Sequence, residues 1–547
     1  MHFTSKDGTL SRGLGRRDFL RNASLLPVAL NAGRAVAADA GSNSGVIVET
    51  TAGKVRGKTV EGMKVFLGVP YGAPTAGRRF MRASKPAPWT GVHDALEYGP
   101  RSPFVDSNSA TSKLISWDSP PGKESDDCLV LNVWTPNVKD GRKRPVMLWL
   151  HGGGFSTGSG SHPSNDGKRL ARRGDVVVVT INHRIGFLGF LYLGSLGGSE
   201  YAESGNVGML DAVLALQWVR DNIANFGGDP NCVMIFGESG GGAKVSTLLA
   251  MPEAKGLFHR AVIESGPGIR SGTPEAAAKS ADTYLAELGI TKGNLDEIQK
   301  LPVEKLKAAQ AALDKRRALI RWGPIVDGKV LPRHPFDPDG PEVSADVPVM
   351  IGSNKTEATF FQLNELDKIY ALDEQGLKDR LKPIAGDAVE RAIGIYRGYY
   401  PKASPGELYL HAATDSGMWF GSVTLAERKA AQHRAPVYMY VFDWETPVMN
   451  GKLKSPHGIE IPFVFDNTGA GDQFIGDGPD RAPLAAKVSA AWIAFARSGN
   501  PNTKDLPRWD AYTADTRATM LLDNNSHLVT DPWSEARALY VERRKKG

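Results

Sequence analysis

The stretch Val233-Met234-Ile235-Phe236-Gly237-Glu238-Ser239-Gly240-Gly241-Gly242-Ala243 decides how the rest of the chain is read. The apolar run Val233 to Phe236 has the composition of a buried strand, and the small residues from Ala243 to Leu249 read as a helix. Between them lies a Gly-x-Ser-x-Gly centred on Ser239. A serine on so sharp a strand-to-helix turn projects its hydroxyl from the rim of a sheet, and glycines flank it because side chains would clash there. The same pattern recurs at Gly154-Phe155-Ser156-Thr157-Gly158, but it continues a glycine run with no strand leading directly into it. Ser156 is therefore read as a loop serine and Ser239 as the candidate nucleophile.

Upstream, the strand-like Val146-Met147-Leu148-Trp149-Leu150 runs into His151-Gly152-Gly153-Gly154-Phe155. A glycine loop after a strand can turn its backbone N–H groups inward. With the N–H of the residue after the nucleophile, they can hold the oxyanion of a tetrahedral intermediate. Gly153, Gly154 and Gly240 are the expected donors. Downstream, Val347-Pro348-Val349-Met350-Ile351 precedes Gly352-Ser353-Asn354-Lys355-Thr356-Glu357. A carboxylate just past a strand end would share the rim with Ser239 and could orient a histidine; read alone, Glu357 also suits a solvated loop acid. Of the eleven histidines, His457 is best placed as the base, after the strand-like Val437 to Phe442 and a polar loop. His151 and His183, at strand ends, compete with it. The order serine, acid, histidine is that of a serine hydrolase built on an α/β-hydrolase sheet.

Further motifs give a specific resemblance. They are Phe66-Leu67-Gly68-Val69-Pro70-Tyr71-Gly72-Ala73-Pro74, Arg79-Phe80, Asp126-Asp127-Cys128-Leu129-Val130-Leu131-Asn132-Val133, Asn182-His183-Arg184 and His457-Gly458-Ile459-Glu460. With the elbow and the glycine loop, they make the chain resemble a type-B carboxylesterase, the cholinesterase-like branch of the α/β-hydrolases, from about Gly45 to about Trp533. The resemblance implies a Ser239-His457-Glu357 triad and cofactor-free hydrolysis of carboxylic esters. It also implies ion pairs Arg79–Asp126 and Arg184–Asp211 that pin loops near the site. Three positions depart from the family pattern. Gly240 stands where alanine is common, Ala358 follows Glu357 where glycine is usual, and Pro100-Arg101-Ser102-Pro103 holds no cysteine to pair with Cys128.

The chain has 547 residues, 41% of them hydrophobic. That length is compatible with roughly two to four domains, but a sheet with many helices also reaches it as one unit. The expected fold is α/β, a large, mostly parallel central sheet flanked by helices. Its strands are read at 129–134, 146–150, 176–181, 232–236, 261–264, 347–351 and 436–442, after short strands between Val46 and Tyr71. A helix runs from Val207 to Phe226 and stops at Gly227-Gly228-Asp229-Pro230. Ala, Leu, Lys and Glu dominate 273–315, and 364–433 reads the same way; both are expected as helical cap insertions within a domain spanning 45–540. Residues 541–547 read as a basic, solvated tail.

Both cysteines, Cys128 and Cys232, read as buried thiols. No Cys/His cluster has metal-ligand spacing, so no structural metal is expected, and the family resemblance implies no cofactor. The formal charge is +6, but residues 1–37 carry six basic and two acidic side chains, leaving +2 for the rest. That balance gives no argument for nucleic acid or an anionic membrane as partner. Gly15-Arg16-Arg17-Asp18-Phe19-Leu20-Arg21, a short apolar stretch and Ala35-Val36-Ala37 together read as a twin-arginine signal peptide over 1–37, followed by a linker at 38–44. The expectation is export to a bacterial periplasm or beyond.

For the pocket, Phe155 and Phe463 are expected walls and Glu238 a neighbour of the nucleophile. Trp117 and Trp322 sit near positions that border the pocket in relatives. The expected substrate is a small-molecule ester. Two other readings remain: a hydrolase of another acyl bond (amide, carbamate or lactone), or a non-catalytic binding protein on this fold.

Overall fold

A computed structural model describes residues 45–106, 110–114 and 120–546. The expected signal segment and linker, and Trp117, lie outside the described residues. One sheet of thirteen strands organises the rest. In chain order these are β1 (Val46–Glu49), β2 (Lys54–Val60), β3 (Met63–Pro70), β4 (Val92–Asp94), β5 (Val130–Thr135), β6 (Arg144–Leu150) and β7 (Val177–Ile181). They continue as β8 (Gly228–Glu238), β9 (Arg260–Glu264), β10 (Val349–Asn354), β11 (Val437–Phe442), β12 (Thr519–Leu522) and β13 (His527–Val529). The spatial order is β1-β2-β3-β5-β7-β6-β8-β9-β10-β11-β12-β13, with β4 paired to β2. From β7 to β12 every pairing is parallel; the outer pairings are antiparallel, except that of β4 with β2, which is parallel.

The parallel centre explains why these strands read as continuous apolar runs. Every residue of β6, β7, β10 and β11 is buried, because helices cover both faces. Register makes the strands end level on one rim: Leu150 pairs with Gly237, Glu238 with Glu264, and Glu264 with Gly352. The loops leaving that rim carry the glycine run, Ser239 and Glu357. A ligand site outside the carboxyl ends of parallel strands is the general rule for such sheets.

The expected helix at 207–226 is α-helical over Val207–Asn222 and tightens to a 3-10 turn over Ile223–Phe226. Gly227, at φ 81°, caps it. The first insertion forms helices Pro274–Leu288 and Val303–Lys315; helices fill much of 366–430 in the second. Both belong to the same compact unit as the sheet. The second packs on the C-terminal helix Ser534–Lys546, where the Tyr396 and Tyr540 hydroxyls lie 2.8 Å apart. Residues 541–546 of the expected tail form the end of that helix, and the Arg544 guanidinium lies over the Phe420 ring at 4.2 Å. Cys128 is buried beside Ser102, whereas Cys232 is only half-buried against Arg260; both thiols are free. Among the described residues no helix is long and apolar enough to cross a membrane.

Candidate active site

Ser239 sits between β8 and the helix Gly240–Ala250 with φ 58° and ψ −121°. A non-glycine residue held there costs about 1–3 kcal/mol, so the surroundings must impose it. They do so from both sides. The Ser239 N–H donates to Glu264 O at 2.8 Å, and Ser239 O accepts from Ala243 N at 3.0 Å. The serine is half-buried at the rim.

The glycine loop adopts consecutive positive φ values, 90° at Gly153 and 58° at Gly154. A Cβ on Gly153 would lie 2.3 Å from Thr157 O, so glycine is required by conformation and by space. Gly240 approaches this loop so closely that a Cβ would lie 2.5 Å from Gly154 N. The N–H groups of Gly153, Gly154 and Gly240 donate to no other described residue. They form a cluster of free donors beside the serine.

Glu357 and His457 meet directly: His457 Nδ1 makes a short contact with Glu357 Oε2. A carboxylate oxygen only accepts, so the Nδ1 proton points at Glu357 and Nε2 is left as the basic nitrogen. The other oxygen, Glu357 Oε1, accepts from Ser265 Oγ and from Asn354 N, both at 2.6 Å. Those bonds fix the carboxylate, and through it the ring. His457 Nε2 makes no hydrogen bond, while Glu238 Oε1 lies 3.1 Å away. Burial would depress the imidazole, but the carboxylates of Glu238 and Glu357 outweigh it and the net shift is upward.

Behind this pair lies a cluster of buried acids. Glu264 Oε1 accepts from Trp492 Nε1 at 2.7 Å, and Glu460 Oε2 accepts from Asn354 Nδ2 at 2.6 Å. Burial pushes Glu238, Glu264 and Glu460 all upward, and their mutual repulsion adds to it. Like charges crowded away from water raise one another's affinity for protons.

A further buried group, Lys244, stands one turn into the helix after Ser239. It is 0% exposed, and its Nζ donates to His151 O at 2.8 Å. Burial lowers its pKa to about 7. His151 and His183, the competing bases, stack on each other at 4.9 Å, with Nδ1 of each at 2.9 Å from a backbone carbonyl. Burial and the nearby Lys244 hold both well below the usual imidazole range. Neither contacts Glu357.

Both family-implied ion pairs form. Arg79 Nε donates to Asp126 Oδ2 at 2.8 Å, and Arg184 grips Asp211 through Nε and Nη2 at 2.8 and 2.7 Å. Arg184 also donates to Met81 O at 2.8 Å, tying the loop after β7 to the segment after β3.

Two of the larger cavities flank the site. One, about 260 Å³, is bordered by His457, Gly458, Ile461, Pro462 and Phe474. The other, about 790 Å³, opens beyond Phe155 and is bordered by Ala243, Trp322 and Ile325. Phe155 and Trp322 thus line a cavity as expected. Phe463 does not. The single turn Ile461–Val464 presents Ile461 and Pro462 to the first cavity and sends Phe463 into the core, against Phe442 and Trp444. Glu238 is fully buried against His457 and lines neither cavity.

The residues not anticipated from sequence are Glu264, Ser265, Asn354 and Lys244. The first two close the apolar run of β9, and Asn354 closes β10. Polar residues at the ends of buried strands were the available signal. For Lys244 it was a lone lysine in a helix of small and apolar residues.

The carboxylesterase family model matches residues 44–539. The chain is 37% identical over 506 residues to the para-nitrobenzyl esterase of Bacillus subtilis, covering 90% of this chain and 97% of that protein. It is 35% identical over 499 residues to the phenmedipham hydrolase of Pseudarthrobacter oxydans, covering 89% and 97%. The crystal structure of a carboxylesterase from Geobacillus stearothermophilus superposes with a TM-score of 0.79 at 40% identity, covering 90% of this chain and 99% of that one. With that likeness running through nearly the whole described chain, the protein belongs to the carboxylesterase family, as a carboxylic ester hydrolase on the α/β-hydrolase fold.

Proposed function

We propose that Ser239, His457 and Glu357 are the catalytic triad of this esterase. The observation that carries the reading is the His457–Glu357 contact on the same rim as the strained Ser239 turn. Ser239 Oγ attacks the ester carbonyl while His457 Nε2 takes its proton. Glu357 keeps the ring in the required tautomer and stabilises the imidazolium. The N–H groups of Gly153, Gly154 and Gly240 hold the oxyanion, each worth roughly 3 kcal/mol of barrier. His457 then protonates the departing alcohol and activates water to hydrolyse the acyl-enzyme. Apo sites of this kind often leave the base unbonded to its nucleophile until substrate closes the geometry. Hydrolysis of 4-nitrophenyl butyrate tests the reading: Ser239→Ala should lose about 10⁴-fold or more in kcat, and retained turnover would place the chemistry elsewhere.

The mature enzyme is proposed to act outside the cytoplasm. The support is the twin-arginine motif at Arg16-Arg17, followed by Phe19-Leu20 and the small residues Ala35-Val36-Ala37. Substituting both arginines by lysine should leave the uncleaved precursor in the cytoplasm. Unchanged export and processing would contradict this.

A further inference from the structure

The cavity beyond Phe155 is divided chemically. Near the glycine loop its wall is apolar: Phe155, Ala243 and Trp322. Farther out it carries Arg270, Lys279 and Arg321, with His334 beside them, and no carboxylate lines it. The whole chain has 66 basic and 60 acidic residues, so a lining of one sign does not follow from composition.

The counter-charges are also sparse. Arg270 pairs with Asp337, but that carboxylate serves Arg428 as well, at 2.9 Å. The Lys279 and Arg321 side chains have neither an ion pair nor a hydrogen bond among the described residues. His334 Nδ1 accepts from Ser271 N at 3.3 Å, so a neutral ring presents an Nε2–H donor. The nearby start of helix Pro274–Leu288 adds little, because its end is already served by the Thr273 side chain and by Glu275. The positive field comes from the three cationic side chains. A cleft lined by one sign of charge concentrates ligands of the opposite sign.

We propose that this cavity receives an acyl group ending in a carboxylate, so that the preferred substrates are half-esters of dicarboxylic acids. The methylenes would lie against Phe155 and Trp322, and the distal carboxylate would meet Arg321 and Lys279. A guanidinium matches a carboxylate through paired donors, whereas an alkyl terminus leaves those cations without a partner. This inference rests on the esterase reading, with Ser239 as nucleophile.

The test compares mono-4-nitrophenyl adipate with 4-nitrophenyl hexanoate, as kcat/KM. The wild-type enzyme should favour the anionic ester. The doubly substituted Arg321→Met, Lys279→Met enzyme should lower the anionic-to-neutral ratio at least about tenfold, and about 0.5 M salt should lower it in the wild type. A wild-type preference for hexanoate, with a ratio unmoved by the double substitution, would overturn the proposal. Calorimetric binding of free adipate provides a readout without turnover. Binding weakened at least about tenfold in the double variant supports the cavity assignment, and equal or undetectable binding to both proteins overturns it. Failure to hydrolyse either ester would count against the Ser239 reading, and adipate binding would still decide the cavity.

Discussion

Glu238 Oε1 lies 3.1 Å from His457 Nε2, the ring nitrogen that takes the serine proton in the proposed mechanism, while Glu357 holds the other nitrogen. The imidazole is thus set between two buried carboxylates. Each favours the imidazolium, and both oppose the effect of burial. Replacing Glu238 by glutamine removes one of them. The imidazolium then loses stabilisation, its pKa falls, and neutral His457 persists to lower pH. The acid limb of kcat/KM, which reports the free enzyme, should move down by about one unit or more. A limb that stays in place or moves up would contradict the account.

Glu357→Gln separates orientation from general polarity. The amide can present its NH₂ to Nδ1, which reverses the tautomer and puts the proton on the nitrogen that should be basic. A loss of about 10⁴-fold in kcat is expected, with the fold intact by circular dichroism. Ser265→Ala removes one of two hydrogen bonds to Glu357 Oε1 and leaves that from Asn354 N. It should cost only about tenfold. Equal losses from the two substitutions would contradict the division of roles.

Gly240→Ala introduces the residue common in the family at a position where this chain leaves no room. The added Cβ would meet Gly154 N at 2.5 Å and Gly154 Cα at 2.9 Å, both backbone atoms. The glycine loop must retreat and its N–H groups move away from the developing oxyanion. A fall in kcat of about tenfold or more is expected, with a parallel loss of affinity for a trifluoromethyl ketone transition-state analogue. Unchanged kcat would mean that the loop sets its own position.

The readability of the site follows how local each signal is. Ser239 is legible because a buried strand, a glycine turn and a helix are contiguous. Glu357 and His457 are legible mainly as residues beyond strand ends, with the family resemblance choosing among candidates. Glu264, Ser265 and Asn354 carry no motif. Their meeting is made by register, since Glu264 pairs with Glu238 on one side and with Gly352 on the other. Such cross-strand neighbours are invisible until the strand order is known. Phe463 fails for a different reason: a single helical turn decides which of four adjacent apolar residues faces the cavity. Strands β12 and β13, of four and three residues, are too short for their periodicity to stand out.

Lys244 donates to the carbonyl of His151, the residue that opens the glycine loop. Lys244→Met keeps the bulk of the side chain and removes the donor and the charge. The loop loses one anchor, so kcat should fall by about tenfold, about 1.4 kcal/mol of barrier, with KM little changed. Loss of thermal stability with kcat intact would make the lysine a packing residue only.

The most direct test of the central claim is reaction of the protein with a fluorophosphonate probe and mass-spectrometric mapping of the modified peptide. The probe requires an activated serine and no knowledge of the natural ester. One adduct is expected, on Ser239, and it should be lost in His457→Ala. An adduct on Ser156, or none on Ser239 in the folded wild-type enzyme, would contradict the claim.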